Sequence, residues 1–367
     1  MNILFTNFHP YNGGGHRTYL NNLFNYISEE NNNINVFIAS PEFSRLNLDL
    51  RSNFKSQVFN VDFPSKLKNL FQIFKNIKIL AKLIKQNNID IVHTNGNPDH
   101  KIVMLCKWLY KFNFKIVRTK HDTFPIKKNF FSKILFSKFT DHLILVSYYQ
   151  YKQIDDSALL NKTSVIHNGV DLKFYKPQKK SKDVITDFNI DEDDIVFVSV
   201  AGTNLNKGWP LLVEALSRLD RNYINRFKVI IAGKTPSQKD INLYVKRFNL
   251  EDLVIFPGLV DDIRQIVSVA DFGFVLSQKE ALSYACREMM AMGVPVLITS
   301  NTGLTENITD GEDGWIVNRS IDEIESFLKL LSFINKKEFS ESAYRKAKNE
   351  FDLSSWANKT ISVYSLT

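Results

Sequence analysis

Residues 277–297 read SQKEALSYACREMMAMGVPVL and set Glu280 and Glu288 eight positions apart. A carboxylate can accept a pair of hydroxyl hydrogen bonds, the contact that a sugar or a ribose offers. In a helix-like run the amides of Ala281, Leu282 and Ser283 stand at its start, as donors for a phosphate between the two acids. Glu288 then falls two turns along, on nearly the same face. The competing reading is a surface helix with two solvated acids. Gly293 ends the run and Pro295 cannot extend it, so the strand VPVLIT starts abruptly.

Two other stretches could meet the same kind of ligand. In FHPYNGGGHRTYLNNL, Gly14 and Gly15 precede an amphipathic helix. Such a segment is either a plain strand-to-helix turn or a loop whose backbone N–H groups approach a ligand. It lacks the G-x-G-x-x-G spacing of a dinucleotide fingerprint. In VAGTNLNKGWPLL, Lys207 and Gly208 open a helix after a strand. A lysine over a helix N-terminus suits a diphosphate, because ammonium and dipole act on one anion. Asp191 and Asp193 in NIDEDDIVFV lie before a strand and read as a solvated turn. With no His/Cys ligand spacing either, no metal site is expected.

The elements that must position these residues recur as short apolar runs. The first half carries NILFT, INVFIA, DIVHT, FKIVRT, HLILVS and TSVI; the second carries DIVFVSVAG, FKVIIAG, LVIFPG, DFGFVLS, VPVLIT and GWIV. Alternation with helical segments of 10–15 residues marks parallel sheets covered on both faces. At 367 residues two domains are expected. The pattern resets across VIHNGVDLKFYKPQKKSKD, read as an inter-domain linker near residues 167–190. The expected α/β architecture is two Rossmann-like, doubly wound domains facing each other across a cleft. Residues 1–170 and 171–352 form them, and residues 353–367 form a helix packing back on the first. Ligands in such sheets bind beyond the carboxyl ends of the strands, where Glu280 would sit after DFGFVLS.

Hydrophobic content of 44% and charged content of 23% are ordinary for a globular protein. MNILFTNF begins as a strand, not a secretory signal, and no apolar run reaches membrane-spanning length. A protein that is cytoplasmic, or peripheral on a membrane's cytoplasmic face, is expected. Cys106 and Cys286 read as free buried thiols. Net charge is +8, and residues 1–170 hold 22 Lys/Arg against 11 Asp/Glu. That asymmetry suggests an anionic surface as partner. Residues 66–86 align Lys75, Lys78, Lys82 and Lys85 on one stripe, and residues 124–139 mix five aromatics with four lysines. Each apolar face either packs on the sheet or lies on an anionic membrane. No RNA- or DNA-binding motif appears, so nucleic acid is not an expected partner.

With these residues assembled, the chain resembles the retaining glycosyltransferases of family 4. Glu-x7-Glu resembles their donor-site motif, and NGGGHRTYLNNL, KIVRTKHD, VIHNGVDLKFYKP, NKGWPLLVEAL and GLTENITDGEDGWIV resemble further family segments. The resemblance implies the GT-B fold and transfer of a sugar from a nucleotide-sugar co-substrate to a glycan or lipid-linked acceptor, without metal or other cofactor. Lipopolysaccharide, O-antigen or capsule assembly is the setting it implies. By the same resemblance Glu280 binds the transferred sugar, Glu288 the ribose and Lys207 the diphosphate. His121 lies beside the reacting sugar, with Gly14 and Gly15 on the phosphate side. His93 either shares a family role or simply ends a buried strand. Family members often carry an arginine where this chain has Gly202; Arg287, Lys234 or a residue of the first domain replaces it, or phosphate stabilisation is weaker. Ala281 stands where the family commonly has glycine. The rival readings are a sugar-nucleotide epimerase or hydrolase on the same scaffold, and a basic surface-binding module without catalysis.

Overall fold

The computed structural model describes residues 1–31, 33–64 and 69–367. The chain divides into two compact units, Met1–Gly169 with Leu353–Thr367, and Val170–Asp352.

The first unit is built on seven strands: β1 (Asn2–Thr6), β2 (Asn35–Ser40), β3 (Val58–Asn60), β4 (Ile91–Thr94), β5 (Lys115–Lys120), β6 (His142–Leu145) and β7 (Thr163–Val165). They run in the order β3-β2-β1-β4-β5-β6-β7, each pairing parallel. β4 and β6 are buried at every residue, as expected of strands covered on both faces. β3, the sequence VFN, is the strand that the apolar runs of the sequence did not include. The helix Leu353–Leu366 completes this unit. Its Trp356 packs edge-on against Tyr19 at 5.0 Å. The helix Leu70–Gln86 buries Ile77, Leu80 and Ile84 in the core, so its apolar stripe covers the sheet. Residues 66–68 of the basic stretch lie outside the described residues.

The second unit holds β8 (Ile195–Ser199), β9 (Phe227–Ile231), β10 (Val254–Ile255), β11 (Phe272–Val275), β12 (Val296–Thr299) and β13 (Gly314–Val317). Their order is β10-β9-β8-β11-β12-β13, again all parallel. Alternate side chains feed two cores: Val196, Val198 and Val275 on one face, Phe197, Phe272 and Phe274 on the other. From Val170 onward the stretch read as a linker belongs to this unit. Val170 and Val184 are buried in its core, and Val170 N donates to Phe351 O at 2.7 Å.

In each sheet the winding reverses once, between β1 and β4 and between β8 and β11. The loops leaving those strands are where such folds place ligands. Among the described residues no helix is long and apolar enough to cross a membrane. Both cysteines are free and buried.

Candidate active site

In the second unit the two loops at the reversal point carry Lys207 and Glu280. Lys207 Nζ donates to Glu280 Oε1 at 2.6 Å, and Ser277 Oγ donates to the same oxygen at 3.0 Å. Gly208 makes this approach possible. Its φ is 80°, and a Cβ there would lie 1.9 Å from the carbonyl oxygen of Leu276, at the end of β11. Only a residue without a side chain lets the lysine loop press onto that strand end. Glu280 is fixed from behind as well: its N–H donates to Thr302 Oγ1 at 3.0 Å, and its carbonyl accepts from the same hydroxyl at 2.6 Å.

The helix after Glu280 starts later than the sequence implies. It spans Tyr284–Ala291, with Ser283 as its cap at φ 93° and Ser283 Oγ accepting from Cys286 N at 3.4 Å. Ala281, Leu282 and Ser283 therefore form the loop before the helix and do not open it. The loop is held by Asn307, whose Nδ2 donates to Leu282 O at 2.5 Å. Positive φ falls at Ser283 and not at Ala281, so alanine in place of the family glycine costs no backbone strain. Glu288 lies one turn into this helix, 8% exposed. Burial lifts its carboxyl to about 7, and the phenol of Tyr175 pulls the other way.

Arg287 is neither a surface charge nor a free phosphate ligand. It is 1% exposed, its Nε donates to Asn307 Oδ1 at 2.7 Å, and its guanidinium lies 4.1 Å over Phe351. Lys234 is placed differently. Thr203 Oγ1 donates to its carbonyl, and a Cβ on neighbouring Gly233 would lie 2.9 Å from Gly202 Cα. The exposed Lys234 thus stands beside the position where an arginine is missing. Asp191 and Asp193 are exposed in the turn before β8, and no cluster of three or more potential metal ligands occurs among the described residues.

In the first unit, Gly14 (φ 48°) caps the helix Gly15–Glu30, which leaves β1 at the reversal point. His121 follows β5. Asn95 Nδ2 donates to the carbonyls of Thr6 and His93, so its Oδ1 accepts from His121 Nε2, at 2.9 Å. That leaves His121 Nδ1 as an acceptor. Its ring packs at 4.3 Å against His16, which in turn lies 4.5 Å from His9. Burial holds His121 well below the ordinary histidine range and His16 at about 3, so both are neutral at pH 7. His9 Nε2 and His16 Nδ1 are buried without a hydrogen-bond partner among the described residues. His93 is a satisfied core residue: Nδ1 is 2.8 Å from Tyr364 Oη and Nε2 is 2.6 Å from Thr119 Oγ1. His16 sat in the quoted glycine loop, yet only folding sets it against His121. Tyr175 carried no signal in the sequence beyond its place in the linker.

Two parallel-sheet Rossmann-like units, each with candidate site residues on the loops at its reversal point, are the architecture of the GT-B glycosyltransferases. The family described as Glycosyltransferase Family 4 matches residues 13–174, and Glycosyl transferases group 1 matches residues 181–350. The chain belongs to the family 4 type of glycosyltransferase. It is 25% identical over 298 residues to the O-antigen biosynthesis glycosyltransferase WclY of Escherichia coli, covering 74% of this chain and 79% of that one. A glycosyltransferase from Rickettsia africae superposes with a TM-score of 0.84 at 21% identity, over 99% of this chain and 97% of that one. Anabaena Alr3699/HepE, in complex with UDP-glucose, superposes at 0.82 and 17% identity over the whole of both chains.

Proposed function

We propose that this enzyme moves a sugar from a nucleotide-sugar to a hydroxyl of a glycan or lipid-linked acceptor, with retention at the anomeric carbon, in building a bacterial surface polysaccharide or lipopolysaccharide. The UDP-glucose complex of the Anabaena neighbour supports the donor class, and the O-antigen role of WclY supports the setting. The observation that carries the reading is the Lys207–Glu280 pair. An ammonium has three N–H donors, so one bound to Glu280 leaves two for diphosphate oxygens. Glu280 in turn keeps lone pairs for sugar hydroxyls. The bond between anomeric carbon and phosphate oxygen joins the two groups that this pair would hold.

As that bond breaks, negative charge grows on the diphosphate, and Lys207 stabilises it in a partly buried site. Lys234 supplies a second cation in place of the missing arginine. A phosphate oxygen takes the proton of the acceptor hydroxyl while the acceptor oxygen bonds to the anomeric carbon from the departing face. Neutral His121 offers Nδ1 to a hydroxyl of the sugar, and the amides at Gly14 and Gly15 serve the phosphate side. Because lysines and amides meet the leaving charge, the reaction needs no metal.

A panel of nucleotide-sugars screened for binding, followed by turnover with and without excess EDTA, tests this reading. Turnover of one donor, with retained configuration by NMR and no effect of chelation, is the expected result. Activity lost on chelation and restored by Mn²⁺, or an inverted product, would refute it.

A further inference from the structure

Among the described residues, six other than glycine carry a positive φ. Asn88, Lys111, Asn189 and Asn249 stand at the ends of helices, where left-handed backbone is an ordinary terminator. The other two, Ser283 at φ 93° and Thr302 at φ 54°, both belong to the site. Ser283 follows Glu280 in the same loop, and Thr302 is hydrogen-bonded to Glu280 from the segment after β12. Thr302 is the one β-branched residue of the six, and a branched side chain at positive φ strains the backbone.

Its hydroxyl gives that strain a use. Glu280 N donates to Thr302 Oγ1 at 3.0 Å, Thr302 Oγ1 donates to Glu280 O at 2.6 Å, and Gly303 N donates to the same carbonyl at 3.1 Å. A hydroxyl is donor and acceptor in one atom, so it answers both backbone groups of Glu280. The other end of the turn is held from the same strand: Thr299 Oγ1 donates to Ser277 O at 2.8 Å. The turn 277–280 is thus tied to β12 and the residues after it at both ends, while Ser277 Oγ and Lys207 Nζ meet on Glu280 Oε1. A glycine at 302 would adopt φ 54° freely but leave Glu280 N without this acceptor. A valine would keep the shape and the strain, and its methyl could not approach a carbonyl oxygen to 2.6 Å.

We infer that Thr302 is a positioning residue for the transferred sugar: its hydroxyl ties the backbone of Glu280 to the segment after β12 and so fixes the point from which the Glu280 carboxylate reaches its ligand. The inference rests on reading Glu280 as the sugar ligand. Lys207 and Ser277 set the direction of that carboxylate, and Thr302 sets its origin. A carboxylate misplaced by about 1 Å meets sugar hydroxyls at the wrong distance, which can lower the rate about a hundredfold. Stability and turnover must then depend on different properties of residue 302: the first on its backbone freedom, the second on its hydroxyl.

The test compares wild type with Thr302→Ser, Thr302→Gly and Thr302→Val by melting temperature and by turnover. Turnover is read as nucleoside diphosphate released from UDP-glucose, UDP-galactose, UDP-N-acetylglucosamine and GDP-mannose with water in the acceptor's place; the donor consumed fastest is followed. Thr302→Gly should melt above Thr302→Val, because glycine loses the strain and valine keeps it. Turnover should ignore that order. Thr302→Ser keeps the hydroxyl and should stay close to the wild type, whereas Thr302→Gly and Thr302→Val should both lower kcat about 10- to 100-fold with KM little changed. In a Glu280→Ala background Thr302→Val should bring no further loss, since the carboxylate it positions is gone. Turnover that follows melting temperature, or a Thr302→Val loss that persists without the Glu280 carboxylate, would make Thr302 a purely structural residue and refute its role while the Glu280 reading stands. If Glu280→Ala itself keeps wild-type turnover, Glu280 is not the sugar ligand, and the reading beneath the inference falls.

Discussion

Lys207 Nζ lies 2.6 Å from Glu280 Oε1, although 73 positions separate the two residues. The contact exists because β8 and β11 are neighbours at the point where the sheet reverses, so the loops leaving them converge. Partly buried, the pair is screened less by salt than an exposed ion pair. Under the proposed function it joins a phosphate ligand to a sugar ligand.

If the two side chains act on one scissile bond, their losses must not add. Lys207→Ala and Glu280→Gln should each lower kcat/KM by about 10- to 100-fold, the scale of a charged hydrogen bond of roughly 1.5–3 kcal/mol. The double variant should fall short of the product of the two, with a coupling of about 0.5–3 kcal/mol. Steady-state kinetics on the four proteins decides it. Full turnover by Glu280→Gln, or strict additivity, would separate the pair functionally and overturn the assigned roles.

Gly208 gives a prediction about architecture. Gly208→Ala must push the lysine loop off Leu276, since the new Cβ would sit 1.9 Å from its carbonyl oxygen. Gly202→Ala meets nothing within 4 Å and bears only the strain of φ 93°, about 1–2 kcal/mol. Gly208→Ala should therefore lower both the melting temperature and kcat well beyond Gly202→Ala. Calorimetry with parallel kinetics tests the ranking, and equal effects would show that close approach at Gly208 is not what sets Lys207.

These contrasts also explain what was legible beforehand. Thirteen strands are present among the described residues, and twelve announce themselves as apolar runs, because strands buried on both faces have no polar alternation to hide them. Lys207 and Glu280 were readable because each follows such a run. The start of the helix at Tyr284 was not, since it is set by Ser283 in a positive-φ conformation that Thr302 and Asn307 support from a distant segment. The buried setting of Arg287 was not readable for the same reason: its partners Asn307 and Phe351 are brought to it only by folding.

The basic and aromatic stretch of the first unit supplies the last prediction. The helix Phe130–Ile134 is capped by Asn129, whose Oδ1 accepts from Ser132 N at 2.8 Å, and it runs on into a turn over Leu135–Phe139. Leu135 and Phe136 are buried, which satisfies the need of the core. Phe130 is nevertheless 81% exposed and Phe131 42%, with Lys133 exposed between them and the buried pair. A cavity of about 410 Å³ opens beside them, lined by Ile126, Phe136 and Leu159 together with Lys133 and Lys162. Exposed rings and lysines on one short helix are what the headgroup region of an anionic bilayer binds, each lysine contributing about 1 kcal/mol. We therefore expect co-sedimentation with phosphatidylglycerol-containing liposomes, weakened by salt and by replacing Phe130, Phe131 and Lys133 together with Ser, Ser and Gln. Turnover of a soluble acceptor analogue should be unaffected, because none of the three residues belongs to the donor site. Equal sedimentation of wild type and triple variant, or none by either, would mean that these rings do not anchor the enzyme and that the acceptor reaches it from solution.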